Sequence, residues 1–503
     1  MQAPVAGYQY PLWQVWSSVQ WYLLSSSGYR CIGQHWKLLA GALSLKPPGF
    51  LAVRQWVLRL GHYKLHQAVE RADDWVFIVD YTHQIGLEQC LLVLGVRLGK
   101  LRQRESWLLG LPDVQVLDIS LCHWANGEHL RSRLERVSQL TGAPAQIVAD
   151  GCSSIKKGIR LYEQALPAEN PPLYTYDISH QVALLLEALL EKHAEWLLLQ
   201  QVLNQVQKAI VQTHAAFLAP PSLRKTARYM NLFEVVEWTG CLLAFHQKGE
   251  FSLLATTWQV GADALDAWSE KGQIELEQPR RDALLGLEAP TEQAAARFIE
   301  EHLQGLPQGH PLPLRHNGHV QFQRFFAPLI AMRPFLLFLQ QLMELVKCLL
   351  SDFKEHGLSK ARIRQWQEFP AELLEEPARL FFKAWLEKMQ ACEASLPGEM
   401  VYLATSDIIE SIFGHYKATC DKYWLQGISA NILMMPAFVG KLNVEVVHEA
   451  LLKTRYRQVE HWFNSQRLEK SFLVKRRKAL SRPRKGLKTV GTKMPRKRRY
   501  ETA

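Results

Sequence analysis

Residues 73–98 read "DDWVFIVDYTHQIGLEQCLLVLGVRL". An apolar run ends at Asp80, the chain turns through Gly86, and a second apolar run follows, the pattern of a β-hairpin. A carboxylate at the tip of a buried strand is costly unless something pairs with it, and a bound metal ion is the usual solution. A metal there would need further carboxylates from elsewhere in the chain.

Downstream, "DVQVLDISLC" (113–122) gives a third strand, and "GEHLRSRLERVSQLTG" (127–142) a helix with Leu130, Leu134, Val137 and Leu140 at helical spacing and Gly142 as its cap. "AQIVAD" (145–150) is a fourth strand ending at Asp150, "GCSSIKKGIRLYEQAL" a second helix, and "PLYTYDISH" (172–180) a fifth strand. Strand-helix-strand units imply parallel pairing, while the opening hairpin is antiparallel. The order strand, strand, strand, helix, strand, helix, strand describes a mixed five-stranded sheet, the core of a ribonuclease H-like α/β fold. In that topology the first and fourth strands are central neighbours, so Asp80 and Asp150 meet.

Around this core the chain is helical. Residues 1–70 contain three short helices, with Arg54, Arg59 and Lys64 on the last, suited either to a helix-turn-helix DNA reader or to a small bundle packed on the next domain. Residues 71–180 are the first part of the sheet domain and 181–398 an all-helical insertion. The insertion opens with "HQVALLLEALLEKHAEWLLLQQVLNQVQKAIVQTHAAFL", read as one long helix. Residues 399–466 are expected to complete the core, and 467–503 form a basic, disordered tail.

That tail holds 15 Lys or Arg against Glu469 and Glu501, a net +13 in a chain of net +11, so residues 1–466 carry −2. Lys475, Arg476, Arg477, Arg496, Lys497, Arg498 and Arg499 belong to it, and such charge without apolar content reads as a polyelectrolyte arm on nucleic acid or as a solvated tail. The eight Cys show no C-x-x-C pair, against a structural zinc site or a disulfide framework. No signal-peptide pattern opens the chain, and its most apolar stretch (327–350) is broken by Arg333, Glu344 and Lys347. A soluble, cytoplasmic protein is the expectation.

Three local patterns resemble the DDE transposases of bacterial insertion sequences, with a helical insertion of the kind seen in hAT-like enzymes. "VDYTHQIG" (79–86) resembles the segment of the first Asp. "YDISH" matches an Asp-x-x-His signature through Asp177 and His180. "DIIESIFGHYK" (407–417) matches Glu-x6-Lys through Glu410 and Lys417. The resemblance implies Asp80, Asp150 and Glu410 as ligands of two Mg2+ ions, Mn2+ serving as well, with Asp177 and His180 bracing the site and Lys417 approaching a phosphate. It implies double-stranded DNA as partner, a homodimer or larger assembly joining two DNA ends, and a bacterial, nucleoid-associated location. Trp238, near Arg228, is the candidate for stabilising a flipped base, although its spacing beside Leu232, Phe233 and Val236 equally suits a core residue. The chain departs from the Glu-x6-Lys subgroup in having Leu403 and Ser406 where Tyr and Arg are common. Two further readings stay open: a ribonuclease H-like nuclease that hydrolyses without joining, and a transposase-derived DNA-binding protein.

Overall fold

The computed structural model describes residues 9–480, apart from 26, 44, 84–85, 168–170, 224–230, 273–276, 303–311, 421–426 and 469–471. Its centre is a five-stranded sheet of β1 (Trp75–His83), β2 (Gln89–Arg97), β3 (Gln115–Cys122), β4 (Gln146–Ala149) and β5 (Leu173–Tyr176), in the order β3-β2-β1-β4-β5. β1 pairs antiparallel with β2 and β2 with β3, whereas β1–β4 and β4–β5 are parallel. This mixed sheet is compatible with an α/β ribonuclease H-like fold. β1 does not stop at Asp80. Its ladder with β2 continues through Tyr81↔Leu91, Thr82↔Cys90 and His83↔Gln89, because the β-prone Tyr and Thr extend the pairing before Gly86 (φ 78°) reverses the chain.

Period-two alternation gives the sheet two apolar faces. Phe77, Val79, Ile147 and Ala149 lie with Leu130, Leu134, Ile155 and Ile159 of the helices Gly127–Thr141 and Ser153–Ala165. Val76, Ile78 and Val148 lie on the other face, in a larger core shared with Ile178, Val182, Ile409, Ile412 and Phe413.

Beyond β5 the expected long helix is two, Ile178–Leu190 and Ala194–Ile210. The break falls at Glu191–His193, where polar residues interrupt the apolar stripe, and Trp196 then re-enters the core. The 181–398 block is not all-helical either: β6 (Trp258–Val260), β7 (Glu288–Ala289) and β8 (Leu314–His316) make a small antiparallel sheet in the order β7-β6-β8. The Arg333–His356 helix is long and apolar enough to cross a membrane, but 56% of that window is buried inside the fold. Phe335, Leu339, Leu342, Val346 and Leu349 supply its core-facing stripe.

The first three helices (Leu12–Leu24, Tyr29–Leu43, Phe50–Leu65) share a core with Met434, Ala437, Val447 and Leu451. Residues 399–466 therefore divide, with the Glu410 helix (Asp407–Cys420) beside β1 and the following helices against the N-terminal ones. Gly61 allows this approach, since a Cβ there would run into the carbonyl of Leu433.

Candidate active site

The β1–β4 register fixes the first two carboxylates. Val79 faces Ala149 across the parallel ladder, so Asp80 and Asp150, one residue further on each chain, continue the same row. Neighbouring strands are about 4.8 Å apart. Alternation puts Asp80 on the face of Val76 and Ile78, and Asp150 on that of Val148, so both carboxylates leave the sheet on one side, Asp150 just past the end of β4 and Asp80 three residues before the end of β1. Both residues are half-buried.

Asp150 is held at both main chain and side chain. Its carbonyl accepts a hydrogen bond from the Tyr174 hydroxyl (3.1 Å), and its carboxylate accepts one from the Cys152 N–H (3.1 Å). Burial, then the nearby Asp150 charge, push the Tyr174 phenol above its ordinary value, so it remains a donor. Gly151 must be small, because a Cβ would meet the Tyr176 ring, over which Lys156 Nζ sits at 5.1 Å. The Asp80 carboxylate accepts from the N–H of Tyr81 (2.7 Å). On the opposite face, Tyr81 OH and His129 Nδ1 are 3.2 Å apart, and His129 Nε2 is 3.3 Å from Ser120 Oγ. Burial raises the Tyr81 phenol and lowers the His129 imidazole, leaving both neutral near pH 7.

The third carboxylate sits on a helix tied to the sheet by side chains. Glu410 is half-buried in the first turn of the Asp407–Cys420 helix, whose Ile409, Ile412 and Phe413 pack on the Val76–Ile78 face. The approach to this helix is fixed by Gln146 of β4. Its Nε2 donates to the Leu403 carbonyl (2.7 Å) and its Oε1 accepts from the Leu403 N–H (3.0 Å). Asp177 is fully buried and does two things at once. It caps the Ile178–Leu190 helix by accepting from the His180 N–H (3.1 Å), and it accepts from the N–H (3.0 Å) and hydroxyl of Ser406. Ile178 N–H donates to the Ala404 carbonyl (3.1 Å), and Asp407 pairs with Lys354 at 2.7 Å. Leu403 and Ser406, the departures from the Glu-x6-Lys pattern, are thus among the points at which this segment is stitched to β4 and to the cap of the Ile178–Leu190 helix.

The donor chemistry suits a hard divalent cation, since carboxylate oxygens on adjacent strands are what Mg2+ or Mn2+ takes. The fit is incomplete. Among the described residues no group of three His, Cys, Asp or Glu is close enough to hold a metal ion. The register brings Asp80 and Asp150 together, and Glu410 is on the neighbouring helix without joining them in such a group. Lys417 is exposed in the last turn of the Glu410 helix, and His180 lies with its ring 5.7 Å from that of Tyr176.

Several residues expected to contact DNA have partners within the fold. Arg54 donates to Asn431 Oδ1 and to the Tyr456 hydroxyl, Arg59 to the carbonyls of Leu451 and Thr454, and Lys64 to those of Ala437 and Val439. All three cations bridge to the C-terminal segment, Arg59 buried and Arg54 and Lys64 half-buried, and burial lowers Lys64 to about 8. Trp238 is half-buried against the core, its ring 6.1 Å from that of Phe326. A cavity of about 630 Å3 between its helix (Leu232–Lys248) and Arg333–His356 is lined by Glu237, Cys241, Lys347 and Lys354. Arg228, Arg496, Lys497, Arg498 and Arg499 lie outside the described residues. The tail is not wholly without structure, since Phe472–Ala479 is a helix that exposes Lys475, Arg476 and Arg477.

A mixed sheet in this order, with two carboxylates side by side toward the carboxyl ends of its central parallel strands, is compatible with the α/β ribonuclease H-like class. No protein-family model and no curated protein matches the chain. Among solved structures, the chain is similar to the Drosophila P element transposase strand transfer complex. The TM-score is 0.37 at 10% identity, over 88% of this chain and 94% of that one.

Proposed function

We propose that the chain is a DNA transposase that hydrolyses phosphodiesters at the ends of a mobile DNA segment and joins the freed 3′ ends to target DNA. The observation that carries this reading is the register that sets Asp80 beside Asp150, on the sheet face where the Glu410 helix packs. A divalent cation, Mg2+ or Mn2+, supplies charge neutralisation and acidifies an attacking water or 3′-hydroxyl when bound. Asp80 and Asp150 would hold it from rigid backbone. Glu410, on the helix beside them, would be the further ligand, although among the described residues it does not stand in a metal-holding group with the two Asp. Asp177 and Gln146 position that helix. Lys417, seven residues beyond Glu410 on one helical face, meets a substrate phosphate as a point charge. Double-stranded DNA is the substrate, and joining two ends calls for at least a dimer. The bacterial, nucleoid-associated setting belongs to the same proposal.

The test is a cleavage and joining assay with the full chain and Mg2+, on plasmid DNA carrying the sequences that flank its coding region. Nicked ends and joined products are expected, both abolished by Asp150→Ala. Nicks without joined products would favour the hydrolytic nuclease. Binding with neither product in Mg2+ or Mn2+ would reduce the chain to a DNA-binding protein.

A further inference from the structure

Tryptophan is seldom left in water unless it has a partner. Among the described residues Trp124 is the one tryptophan left exposed, at 62%. It lies just past β3, in the loop leading to the Gly127–Thr141 helix, and that loop is pinned: the Ala125 N–H donates to Gln89 Oε1 (2.8 Å), and Asn126 caps the helix through the His129 N–H (2.8 Å). The register locates Trp124 relative to the carboxylate pair. Asp80, Leu92 and Ile119 form one row across β1, β2 and β3, and His83, Gln89 and Cys122 form a row three residues further toward the hairpin tip. Trp124 is two residues beyond that second row, two strands across and five residues along from Asp80, on the order of 20 Å at ordinary strand spacings.

The same rim holds the basic C-terminal helix. Gly86, at the β1–β2 turn, has the Phe472 ring pressed against it so closely that a Cβ would not fit. Phe472 opens the Phe472–Ala479 helix, Lys475 Nζ lies 5.2 Å from that ring, and Lys475, Arg476, Arg477 and Lys478 are all exposed. One anchored aromatic, one exposed aromatic on a fixed loop and four cations therefore share the carboxyl-end rim of the sheet.

Resting on the transposase reading, we infer that this rim is a binding surface for an unpaired DNA strand, with Trp124 as the base-stacking platform and the docked 472–479 helix as the phosphate clamp. Stacking on an aromatic face is indifferent to sequence, and the adjacent cations complement the backbone charge. A strand frayed at the cleavage point is the species that offers both an unstacked base and a free backbone within that reach. Phe472 is the residue that keeps the cations on the rim.

The test is anisotropy of a labelled duplex bound by the full chain without divalent cation, comparing a frayed end with a fully paired one. Trp124→Ala is expected to weaken binding of the frayed duplex roughly 5- to 100-fold, to leave the paired duplex nearly unchanged, and to be largely rescued in Trp124→Phe. Replacing Lys475, Arg476 and Arg477 with Ala should flatten the salt dependence on both duplexes, by about 0.7–0.9 in log–log slope for each phosphate no longer neutralised. Equal binding of the two duplexes by Trp124→Ala and wild type, or an equal weakening on both, overturns the stacking role. An unchanged salt slope overturns the clamp. Cleavage by the same preparation, read separately with Asp150→Ala, tests the parent reading. Activity that is indifferent to Asp150 sinks the transposase proposal while a Trp124 effect on frayed ends would still stand.

Discussion

The two halves of the candidate site are built in different ways. Asp80 and Asp150 are neighbours because two buried parallel strands are hydrogen-bonded in one register; slipping that register by one residue would turn whole apolar sets toward the wrong faces. Glu410 is placed by side chains reaching across 229 and 257 residues of sequence, Asp177 to Ser406 and Gln146 to Leu403. The pair is a property of the sheet, and the third carboxylate a property of a clamp that single substitutions can open. A site assembled this way has a rigid part and an adjustable part.

That contrast can be broken most severely at the pair. Asp150→Ala removes a carboxylate without disturbing buried apolar surface, so cleavage is expected to fall at least ~10^3-fold, about 4 kcal/mol of barrier, with an unchanged circular dichroism spectrum. A loss of fold instead would show that Asp150 is structural. Asp177→Ala should do the reverse. It strands the N–H groups of Ser406 and His180 in a dry environment and is expected to cost about 2–4 kcal/mol of stability, read as a lower denaturant midpoint. Cleavage by the remaining folded protein should drop as well, because Glu410 loses its anchor.

A third experiment sets the sheet against the N-terminal helices. His62 is buried beside His66, their rings 4.1 Å apart, and burial followed by the His66 charge lowers it to about 4. Its folded value lies below the unfolded one of ~6.5, so between those two values the unfolded chain binds the extra proton. Stability contributed by neutral His62 is complete above about pH 6.5 and is lost progressively as pH falls toward 4, on the order of 1–3 kcal/mol after solvent screening. His62→Phe should remove that part of the pH dependence in equilibrium unfolding; an unaltered profile would assign it to other groups. The smallest effect is expected at the exposed Lys417. Lys417→Ala should lower cleavage less than about 10-fold and reduce the salt slope of DNA binding by that of about one neutralised phosphate.

The sheet was legible in the sequence because each strand is a short apolar run bounded by turn residues, and the order of runs and helices leaves few topologies. The neighbouring of Asp80 and Asp150 followed from that order alone. The run "DWVFIVDYT" made β1 legible as far as Thr82; its last residue, His83, was not, since a polar residue at a strand's end looks like the start of a turn. No Pro or Gly marks the break at Glu191–His193, and strands of two and three residues such as β7 and β6 are too short for a period to show. The clamp was illegible for a different reason. Leu403 and Ser406 stand out as departures from a motif, but their partners Gln146 and Asp177 are set by tertiary packing. The partners of Arg54, Arg59 and Lys64 were illegible as well, because a basic helix face and a set of cations bonded to a distant segment look alike in one dimension.

All of this chemistry depends on Asp80 and Asp150 jointly holding a divalent cation. The direct measurement is anomalous scattering from a crystal of the full chain soaked in Mn2+. A peak is expected between the two carboxylates with oxygen distances near 2.1–2.2 Å, roughly those of a hard divalent ion, with Glu410 drawn toward it when DNA is bound. Mn2+ absent from that position, in a crystal where both side chains are ordered and accessible, would refute the shared cation.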